Sequence, residues 1–329
     1  MNLVTGATGL VGSHLVFRLA QMGEPVVALY RGEQGLQETK DFFHHNGNPE
    51  LFHKISWVQG DVTDLEILEE LAPSVRRVFH TAALVSYHKK DAKELYRVNV
   101  EGTKNLVNVS IDFGIEHFIH ISSIAALGDS PKEIISEDTE RDVNAYHSNY
   151  SESKYLGELE VWRGIQEDLP ATILCPGIIF GPANWRRSSG NMLTRIAAGL
   201  PALPAGGTGI VSVNDVVEAA ITLGLKQATN ERYILVEENI SDAELFTFIA
   251  NELNVKIGKR IAPKYLLVAL YLMEALKELF TRKRASITRE ILRNYTSFKK
   301  YDGSKITKGT GFSYSGVRKA IQAAIAYQK

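Results

Sequence analysis

The 329-residue sequence predicts an α/β fold, in which a doubly wound parallel sheet is covered by a small C-terminal α/β region. Three observations lead to this prediction. Short runs rich in β-branched residues alternate with segments whose apolar residues recur at helical spacing. A glycine-rich turn follows the first of these runs. Apolar residues make up 44% of the chain and charged residues 23%, as is typical of a folded globular protein.

The elements of the first half follow the order that successive βαβ units require. We predict strands at 2–5, 25–30, 55–59, 77–81 and 117–122, with helices at 10–22, 65–71 and 92–113. A further helix at about 150–167 and a strand at 171–174 complete this half of the chain.

The composition of the chain changes after Pro176. Gly, Pro and Ser cluster between 177 and 209, which indicates loops around a site. Strands are predicted at 210–213 and 233–236, and Ser241 with Glu244 forms a capping box for a helix ending near Leu253. We therefore divide the chain at 1–175 and 176–329. The second region is expected to interleave with the first and to form a lid over the carboxyl ends of the strands.

Charge and cysteine content limit the partners and the compartment. The net charge is −1, although residues 281–329 carry 12 Lys/Arg against 2 Asp/Glu, and we predict no nucleic-acid partner. The basic end is either a solvated tail or an anion-facing surface. The single cysteine, Cys175, forms no intrachain disulfide and is expected to be a buried, inert thiol. No signal peptide is visible, so a cytoplasmic location is expected.

The most apolar helical segment, 265–280, is interrupted by Glu274, Lys277 and Glu278. It is too short and too charged for stable insertion into a membrane. Two interpretations stay open, a helix that packs over the pocket and a peripheral membrane contact.

The segment Thr5-Gly6-Ala7-Thr8-Gly9-Leu10-Val11-Gly12 joins the first strand to the first helix. Its glycines allow a tight turn, the approach of a pyrophosphate to the backbone, and close packing of helix on strand. The helix N-terminus then offers free N–H groups to phosphates. The setting between a strand and a helix predicts a Rossmann-type dinucleotide site, with NADP or NAD as cofactor and no metal.

The end of the second strand bears on the choice between these cofactors. An NAD-preferring site places an acidic residue here, whereas this chain has Arg31, which could pair with the 2′-phosphate of NADP. We therefore favour NADP, although Glu33 could bind a ribose instead. Asp61 is placed to accept from the adenine amino group, or else to cap the helix that starts at Leu65.

Tyr150 and Lys154 lie at i and i+4, one turn apart on the same face of a predicted helix. A nearby cation lowers the pKa of a tyrosine, so that its phenol can exchange a proton with a substrate oxygen while hydride moves at the carbon. Ser122-Ser123 ends the fifth predicted strand, where a serine hydroxyl could hold that oxygen. Together with the glycine loop, this pattern predicts an oxidoreductase.

These residues carry a family resemblance that extends over nearly the whole chain. The sequence resembles the extended short-chain dehydrogenase/reductase family, the NAD-dependent epimerase/dehydratase superfamily. Within it the chain is most similar to the dihydroflavonol 4-reductase-like branch, close to 3β-hydroxysteroid dehydrogenases and sugar-nucleotide epimerases. Its marks are the glycine loop, Gly60-Asp61-Val62, His80-Thr81-Ala82-Ala83, Asn99-Val100-Glu101-Gly102-Thr103, Ile121-Ser122-Ser123, Tyr150 to Lys154, and Pro176-Gly177-Ile178-Ile179-Phe180-Gly181-Pro182.

The resemblance implies a role for each matching position. Ser123 matches the catalytic serine, Tyr150 the general acid/base, Lys154 the lysine that binds the nicotinamide ribose, and Asn99 the helix asparagine that supports the site. The expected cofactor contacts are Gly6, Thr8, Gly9, Leu10, Val11, Gly12, Arg31, Asp61, Val62, Thr81, Ala82, Ala83, Asn99, Ile121, Tyr150, Lys154, Pro176, Gly177, Ile178 and Ile179. Ile124 and Ala125 stand where 4,6-dehydratases carry an Asp-Glu pair, which argues against dehydratase chemistry. The family often forms homodimers through two long helices, here 92–113 and 150–167.

The predicted substrate side mixes apolar and polar residues. The candidate contacts are Leu84, Tyr87, Leu127, His147, Asn184 and Met192. The leading hypothesis is an NADPH-dependent carbonyl reductase, or secondary-alcohol dehydrogenase, for a small to medium substrate. The alternatives are a sugar-nucleotide epimerase with tightly bound NAD and a non-catalytic dinucleotide sensor.

Overall fold

The computed structural model describes residues 1–129, 134–142, 144–183, 190–226, 230–281, 284 and 288–328. A seven-stranded sheet of order β3-β2-β1-β4-β5-β6-β9 forms its centre, and all of its neighbouring strands are parallel. The predicted Rossmann-type, doubly wound sheet is thereby confirmed. Its strands are β1 Asn2–Thr5, β2 Val26–Tyr30, β3 Ser56–Gln59, β4 Arg77–His80, β5 His117–Ile121, β6 Ala171–Pro176 and β9 Arg232–Leu235.

Helices cover both faces of this sheet because its strands are apolar on both sides. One face packs against α1 Leu10–Gln21, α2 Glu33–His45 and α8 Val213–Gly224. The other face packs against α3 Leu65–Leu71, α5 Gly102–Asp112 and α6 Asn149–Gln166, with α4 Ala92–Tyr96 preceding α5. The strand order reverses between β1 and β4, and such a switch point opens a crevice at the carboxyl ends of the strands.

A smaller sheet of order β10-β8-β7 lies after residue 176. Its strands are β7 Ile178–Phe180, β8 Gly207–Ser212 and β10 Glu238–Ser241. They share an apolar core with α7 Gly190–Ala197, α9 Asp242–Leu253 and α13 Val317–Ala326. The remaining helices are α10 Lys264–Thr281, α11 Arg289–Asn294 and α12 Ser304–Thr310.

The chain returns to the large sheet after it has built part of the smaller one. Strand β9 pairs with β6, and α8 packs beside α1. Both elements lie beyond residue 175, so residues after the predicted boundary help to build the large sheet. The division at 1–175 and 176–329 stays a prediction.

Several elements differ from those expected. The helix predicted at 92–113 is present from Ala92 to Asp112, and a π-helical turn at Arg97–Glu101 lies within it, between α4 and α5. Such single turns add one residue and re-aim the side chains on either side of them. The sequence pattern missed α2, whose buried residues are few and whose apolar spacing is therefore weak. Ser241 caps α9 as predicted, since its hydroxyl accepts from the backbone N–H of Glu244 at 3.2 Å. Among the described helices, none combines the length and apolar character needed to cross a membrane.

Candidate active site

The start of α6 brings Tyr150 and Lys154 to the carboxyl end of β5. The hydroxyl of Ser148 accepts from the backbone N–H of Ser151 at 3.0 Å, which caps the helix just before Asn149. Tyr150 then lies in the first turn and Lys154 in the second, on one face. This is the arrangement that their spacing predicted.

Lys154 is almost completely buried, with 3% of its surface exposed. Its Nζ donates to the carbonyl oxygen of Ile121, the last residue of β5, at 2.9 Å. Burial lowers the pKa of Lys154 to about 8, against the opposing effect of the Glu158 carboxylate. The ammonium is therefore fixed in position and loses its proton within reach of ordinary assay pH.

The phenol of Tyr150 forms a hydrogen bond with the side chain of Ser123. Burial raises the pKa of Tyr150, and the hydrogen bond with Ser123 lowers it. The Ser123 oxygen also accepts from the backbone N–H of Ala125 at 3.1 Å, which fixes the serine at the end of β5. The ring of Tyr87 lies edge-on to that of Tyr150, with centroids 5.6 Å apart. The structure thus brings Ser123, Tyr150 and Lys154 together.

A buried carboxylate continues the face that Tyr150 and Lys154 begin. Glu158, one turn beyond Lys154, is 1% exposed and accepts from Arg232 Nη1 at 2.8 Å. It also accepts from the Ser122 hydroxyl at 2.6 Å and from the indole N–H of Trp162 at 3.2 Å. The sequence analysis missed Glu158, although the spacing i, i+4, i+8 could have indicated it. No local signal indicates Arg232, which lies on β9.

Asn99 lies in the middle of the π-helical turn and does not reach the cavity wall. Its side-chain oxygen accepts from the backbone N–H of Leu84 at 2.7 Å, and its amide donates to the Leu84 carbonyl at 3.0 Å. The same amide donates to the Ser153 hydroxyl at 2.9 Å. Asn99 therefore joins the loop after β4 to α6, and its contacts are those of a positioning residue.

The glycine loop has the shape of a phosphate cradle. Gly6 has φ +65°, and a Cβ at Gly12 would lie 2.1 Å from the Gly6 carbonyl oxygen. Side chains at these two positions would therefore disrupt the turn. Helix α1 begins after Gly9 with no side-chain cap and no acidic residue in its first turn. Its first N–H groups are free to bind a pyrophosphate, so the residues present fit a dinucleotide.

The residues that follow β2 and β3 form a charged cluster. Arg31 lies 3.7 Å from Asp61, and 59% of its side chain is exposed. Glu33, the alternative ribose ligand, accepts from the Tyr30 hydroxyl at 3.1 Å. Burial would raise the pKa of Asp61, but hydrogen bonds from Thr63 and the charges of Arg97 and Arg31 lower it overall. Asp64 caps α3, so Asp61 is not the cap.

A cavity of about 730 Å³ lies between the large sheet and the C-terminal region. Of the predicted site residues, its wall contains Gly9, Leu10, Val11, Gly12, Thr81, Ala83, Ile121, Ser123, Tyr150, Lys154, Pro176, Gly177, Ile178, Ile179, Tyr87, Leu127, His147 and Met192. Tyr150 and Lys154 therefore share one space with the glycine loop and with the C-terminal region.

Other predicted residues lie away from this wall, namely Gly6, Thr8, Arg31, Asp61, Val62, Ala82, Leu84 and Asn99. Val62 is 4% exposed and fills the space beside Gly102. Leu84 packs against the core on the face of the sheet that α3, α5 and α6 cover, and its neighbour Val85 lines the cavity instead. Adjacent side chains of an extended segment point to opposite sides, which explains why Val85 lines the cavity where Leu84 was predicted to do so. Asn184 lies outside the described residues.

Comparison with known proteins identifies the family. The model of the NAD dependent epimerase/dehydratase family matches residues 2–235. The chain belongs to this family. It is therefore an enzyme of the short-chain dehydrogenase/reductase type, an oxidoreductase from a family that binds NAD.

Two relatives of this family member match almost its full length. A protein of Synechocystis sp. assigned as a dihydroflavonol 4-reductase is 27% identical, over 98% of this chain and 92% of its own. Sterol demethylase protein B of Methylococcus capsulatus is 28% identical, over 99% and 97%. Among solved structures, the crystal structure of gox2253 has 29% identity and a TM-score of 0.81, covering 99% of this chain and 97% of its own. The recognised family and the Rossmann-type fold are thus confirmed.

The cavity wall also contains charged residues that the sequence analysis did not single out. Asp129 accepts from Arg293 and from Lys299, each at 2.9 Å, which joins the loop after β5 to the C-terminal region. Asp242, at the start of α9, is 7% exposed, and burial raises its pKa to about 6. Arg195 also lies on this wall. These residues are far apart in the chain, so no local pattern could indicate them.

Proposed function

We propose that this family member is an NADP-preferring oxidoreductase that interconverts a ketone and a secondary alcohol on a largely apolar substrate. The observation that carries this proposal is the bonded pair of Tyr150 and Ser123 at the wall of a cavity shared with the glycine loop. Both hydroxyls can reach one substrate oxygen there, and Lys154 lies one helical turn away on the same face.

The chain's own residues supply the proton and the orientation. Ser123 holds the substrate oxygen beside Tyr150, and Tyr150 donates its phenolic proton to that oxygen in reduction or accepts it in oxidation. The Lys154 ammonium stabilises the phenolate that donation leaves. The glycine loop and the N-terminus of α1 would hold the dinucleotide, which supplies or accepts the hydride when bound. Asn99 fixes the loop after β4 against α6, so the wall of the cavity keeps its shape.

The cavity wall favours an apolar substrate over a nucleotide diphosphate. Its apolar members come from both regions and include Val85, Tyr87, Leu127, Ile178, Met192, Leu200, Phe246 and Ile291. A diphosphate would require free guanidinium or ammonium groups. Besides Lys154, the described part of the wall contains three Lys and Arg residues. Arg293 and Lys299 are already paired with Asp129, which leaves the exposed Arg195 to meet a diphosphate.

The preference for NADP is supported by the surroundings of Arg31. The residue follows β2, where the ribose of a dinucleotide binds in this fold class. Its guanidinium is largely exposed, and Glu33, which could bind a 2′-hydroxyl, accepts from Tyr30 instead. The exposed guanidinium next to the uncapped start of α2 suits a 2′-phosphate.

The test is turnover of apolar ketones by the purified protein with NADPH and with NADH, in the wild type and in Tyr150→Phe. We expect faster turnover with NADPH in the wild type. Tyr150→Phe should lose roughly a thousandfold in kcat, because general acid catalysis is worth about 10²–10⁴, while the Kd for NADPH stays unchanged. Tyr327→Phe, at a half-buried tyrosine that packs on Phe42 and does not line the cavity, is the matched control.

Two outcomes would contradict this proposal. Retained turnover in Tyr150→Phe would exclude the phenol as the proton donor. Purified protein that carries NAD without exchange, ignores added NADPH and interconverts sugar nucleotides without net redox would instead be an epimerase, which the family also includes.

A further inference from the structure

Helix α10, Lys264–Thr281, exposes a continuous apolar face. Tyr265 and Phe280, at its two ends, are both 77% exposed, and Leu272 is 59% exposed. The exposed residues Tyr265, Ala269, Leu272, Leu276 and Phe280 recur at i, i+4, i+7, i+11 and i+15, with Leu266 and Met273 beside them. This spacing places them on one side of four helical turns, about 22 Å long at 1.5 Å per residue.

The opposite face of α10 fixes the rotation of the helix. Leu267 is 8% exposed on the inward side. Glu278 accepts from His88 at 3.1 Å and from Lys90 at 2.8 Å. Glu274 pairs with Lys277 at 3.2 Å. The carboxylates of the helix are thus engaged, and the apolar stripe cannot turn inward without breaking the ion pairs of Glu278.

Positive charge surrounds this apolar face. In the sequence, residues 256–284 include eight Lys/Arg and two Asp/Glu, and the two acidic residues are Glu274 and Glu278. Lys259, Arg260 and Lys264 are exposed before and at the start of the helix, and Lys277 is exposed near its end. An exposed apolar stripe flanked by basic side chains is the pattern of helices that lie in the plane of a membrane interface.

We propose that α10 is a peripheral membrane helix, whose apolar face enters the headgroup region of an anionic lipid surface. The positive charge around α10 favours an anionic lipid surface over a second copy of the chain. Two copies of the chain that met through α10 would bring two positively charged borders together, whereas anionic lipid headgroups are complementary to them. The proposal concerns a helix that lies on a bilayer, in keeping with the absence of a spanning segment among the described helices.

The position of α10 relates the lipid surface to the cavity. His88, which binds Glu278 of α10, lines the cavity, and so does Tyr87, whose ring packs against that of Tyr150. The helix therefore borders the rim of the candidate active site. An apolar substrate dissolved in the lipid would have a short path to Tyr150. The path of a substrate from the lipid to Tyr150 rests on the proposed function, whereas the lipid contact of α10 does not.

The test is flotation of the full-length protein with vesicles of phosphatidylcholine containing 30% phosphatidylglycerol, and with pure phosphatidylcholine, at low and high salt. We expect the wild type to float with the anionic vesicles, and salt to weaken its binding. The variant Leu272→Ser/Leu276→Ser/Phe280→Ser should bind at least roughly tenfold more weakly, because three apolar side chains no longer enter the interface. Met22→Ser/Phe113→Ser, which removes exposed apolar residues elsewhere, is the matched control and should bind like the wild type.

Each other outcome has a definite meaning. Equal flotation of the triple variant, or equal binding to neutral and anionic vesicles, would overturn the proposal. Sedimentation velocity without lipid is run in parallel, and a wild-type dimer that the triple variant loses would show that the face binds a second copy instead. Turnover of a water-soluble ketone should be unchanged in the triple variant, so failure of the lipid contact and failure of the proposed oxidoreductase activity are distinguished.

Discussion

The ammonium of Lys154 donates to the carbonyl oxygen of Ile121 at 2.9 Å, so the second turn of α6 is bonded to the last residue of β5. The bond holds a charge in a buried position beside Ser123 and Tyr150. Such placement is costly, because burial disfavours the charged form of a lysine. The consequences of this relationship can be measured.

Replacing the buried ammonium should stabilise the fold while removing activity. The lowered pKa of Lys154, about 8, corresponds to roughly 3 kcal/mol of destabilisation below pH 8. Loss of the bond to Ile121 offsets about 1 kcal/mol. The net gain is about 2 kcal/mol, so for a chain of this length we expect Lys154→Met to raise the Tm at pH 7 by about 3 °C and to abolish turnover.

The pH dependence provides the check on this prediction. Between pH 8 and the ordinary lysine value the unfolded chain binds more protons than the folded one, so the wild type gains stability with rising pH and the difference from Lys154→Met shrinks. Thermal unfolding at pH 7 and pH 9 measures it, with Lys104→Met at an exposed site as control. A lower Tm for Lys154→Met at pH 7 would contradict the argument.

Glu158→Gln should both destabilise the fold and alter the titration of Lys154. The substitution leaves Arg232 without its buried carboxylate partner, which costs about 3 kcal/mol of unfolding free energy. The Glu158 charge raises the pKa of Lys154, so its removal should lower that pKa further. NADPH binding should weaken as rising pH removes the proton of Lys154, and we expect this weakening to begin at lower pH in Glu158→Gln than in the wild type. Glu160→Gln, on the same helix and paired with Arg163, should shift neither quantity.

Gly12→Ala should impair cofactor binding more than stability. The new Cβ would lie 2.1 Å from the Gly6 carbonyl oxygen, so the loop must move. A shift of about 1 Å can cost roughly a hundredfold in kcat/KM. Gly309→Ala is the control, because its Cβ meets open space in α12. Kinetics with varied NADPH measure the effect, and an unchanged KM for NADPH in Gly12→Ala would exclude this loop as the phosphate cradle.

Arg31→Ala tests the choice between the two dinucleotides. A hydrogen bond to a charged group is worth about 1.5–3 kcal/mol, so the KM for NADPH should rise roughly tenfold to a hundredfold. The KM for NADH should stay within about twofold, since NADH lacks the 2′-phosphate. Arg76→Ala, at an exposed arginine paired with Glu116, is the control. An equal loss with both dinucleotides would mean that Arg31 does not read the phosphate.

Asp242→Asn should stabilise the protein at neutral pH and have little effect in acid. Burial raises the pKa of Asp242 to about 6, so the wild type loses stability as pH rises from the ordinary aspartate value through 6. The asparagine variant has no such loss. We expect it to be more stable by about 2 kcal/mol above pH 6 and equal near pH 4. Urea unfolding at both pH values, with the exposed-site variant Asp112→Asn as control, measures the difference. A constant difference across this range would contradict burial of the charge as its cause.

The parts of the site that local sequence could predict are those that neighbouring residues build. The turn from Gly6 to Gly12 depends on steric freedom within eight residues of Thr5, and the spacing of Tyr150 and Lys154 depends on one helical period. The cap of α9 by Ser241 is equally local. The helix expected at 92–113 is present, but its π-helical turn around Asn99 could not be predicted, because one inserted residue in a helix leaves the local apolar pattern nearly unchanged.

The sequence by itself therefore determined the dinucleotide loop, the alternation that gives a parallel sheet, and the tyrosine and lysine of the site. Only the tertiary structure decided that β9 joins the sheet beside β6, that Arg232 consequently reaches Glu158, and that Arg293 and Lys299 meet Asp129. The same holds for the apolar face of α10, since amphipathic spacing marks a stripe without telling whether it packs inward or faces outward. The physical reason is that periodicity and turn chemistry act over a few residues, whereas contacts between distant residues depend on strand order and packing.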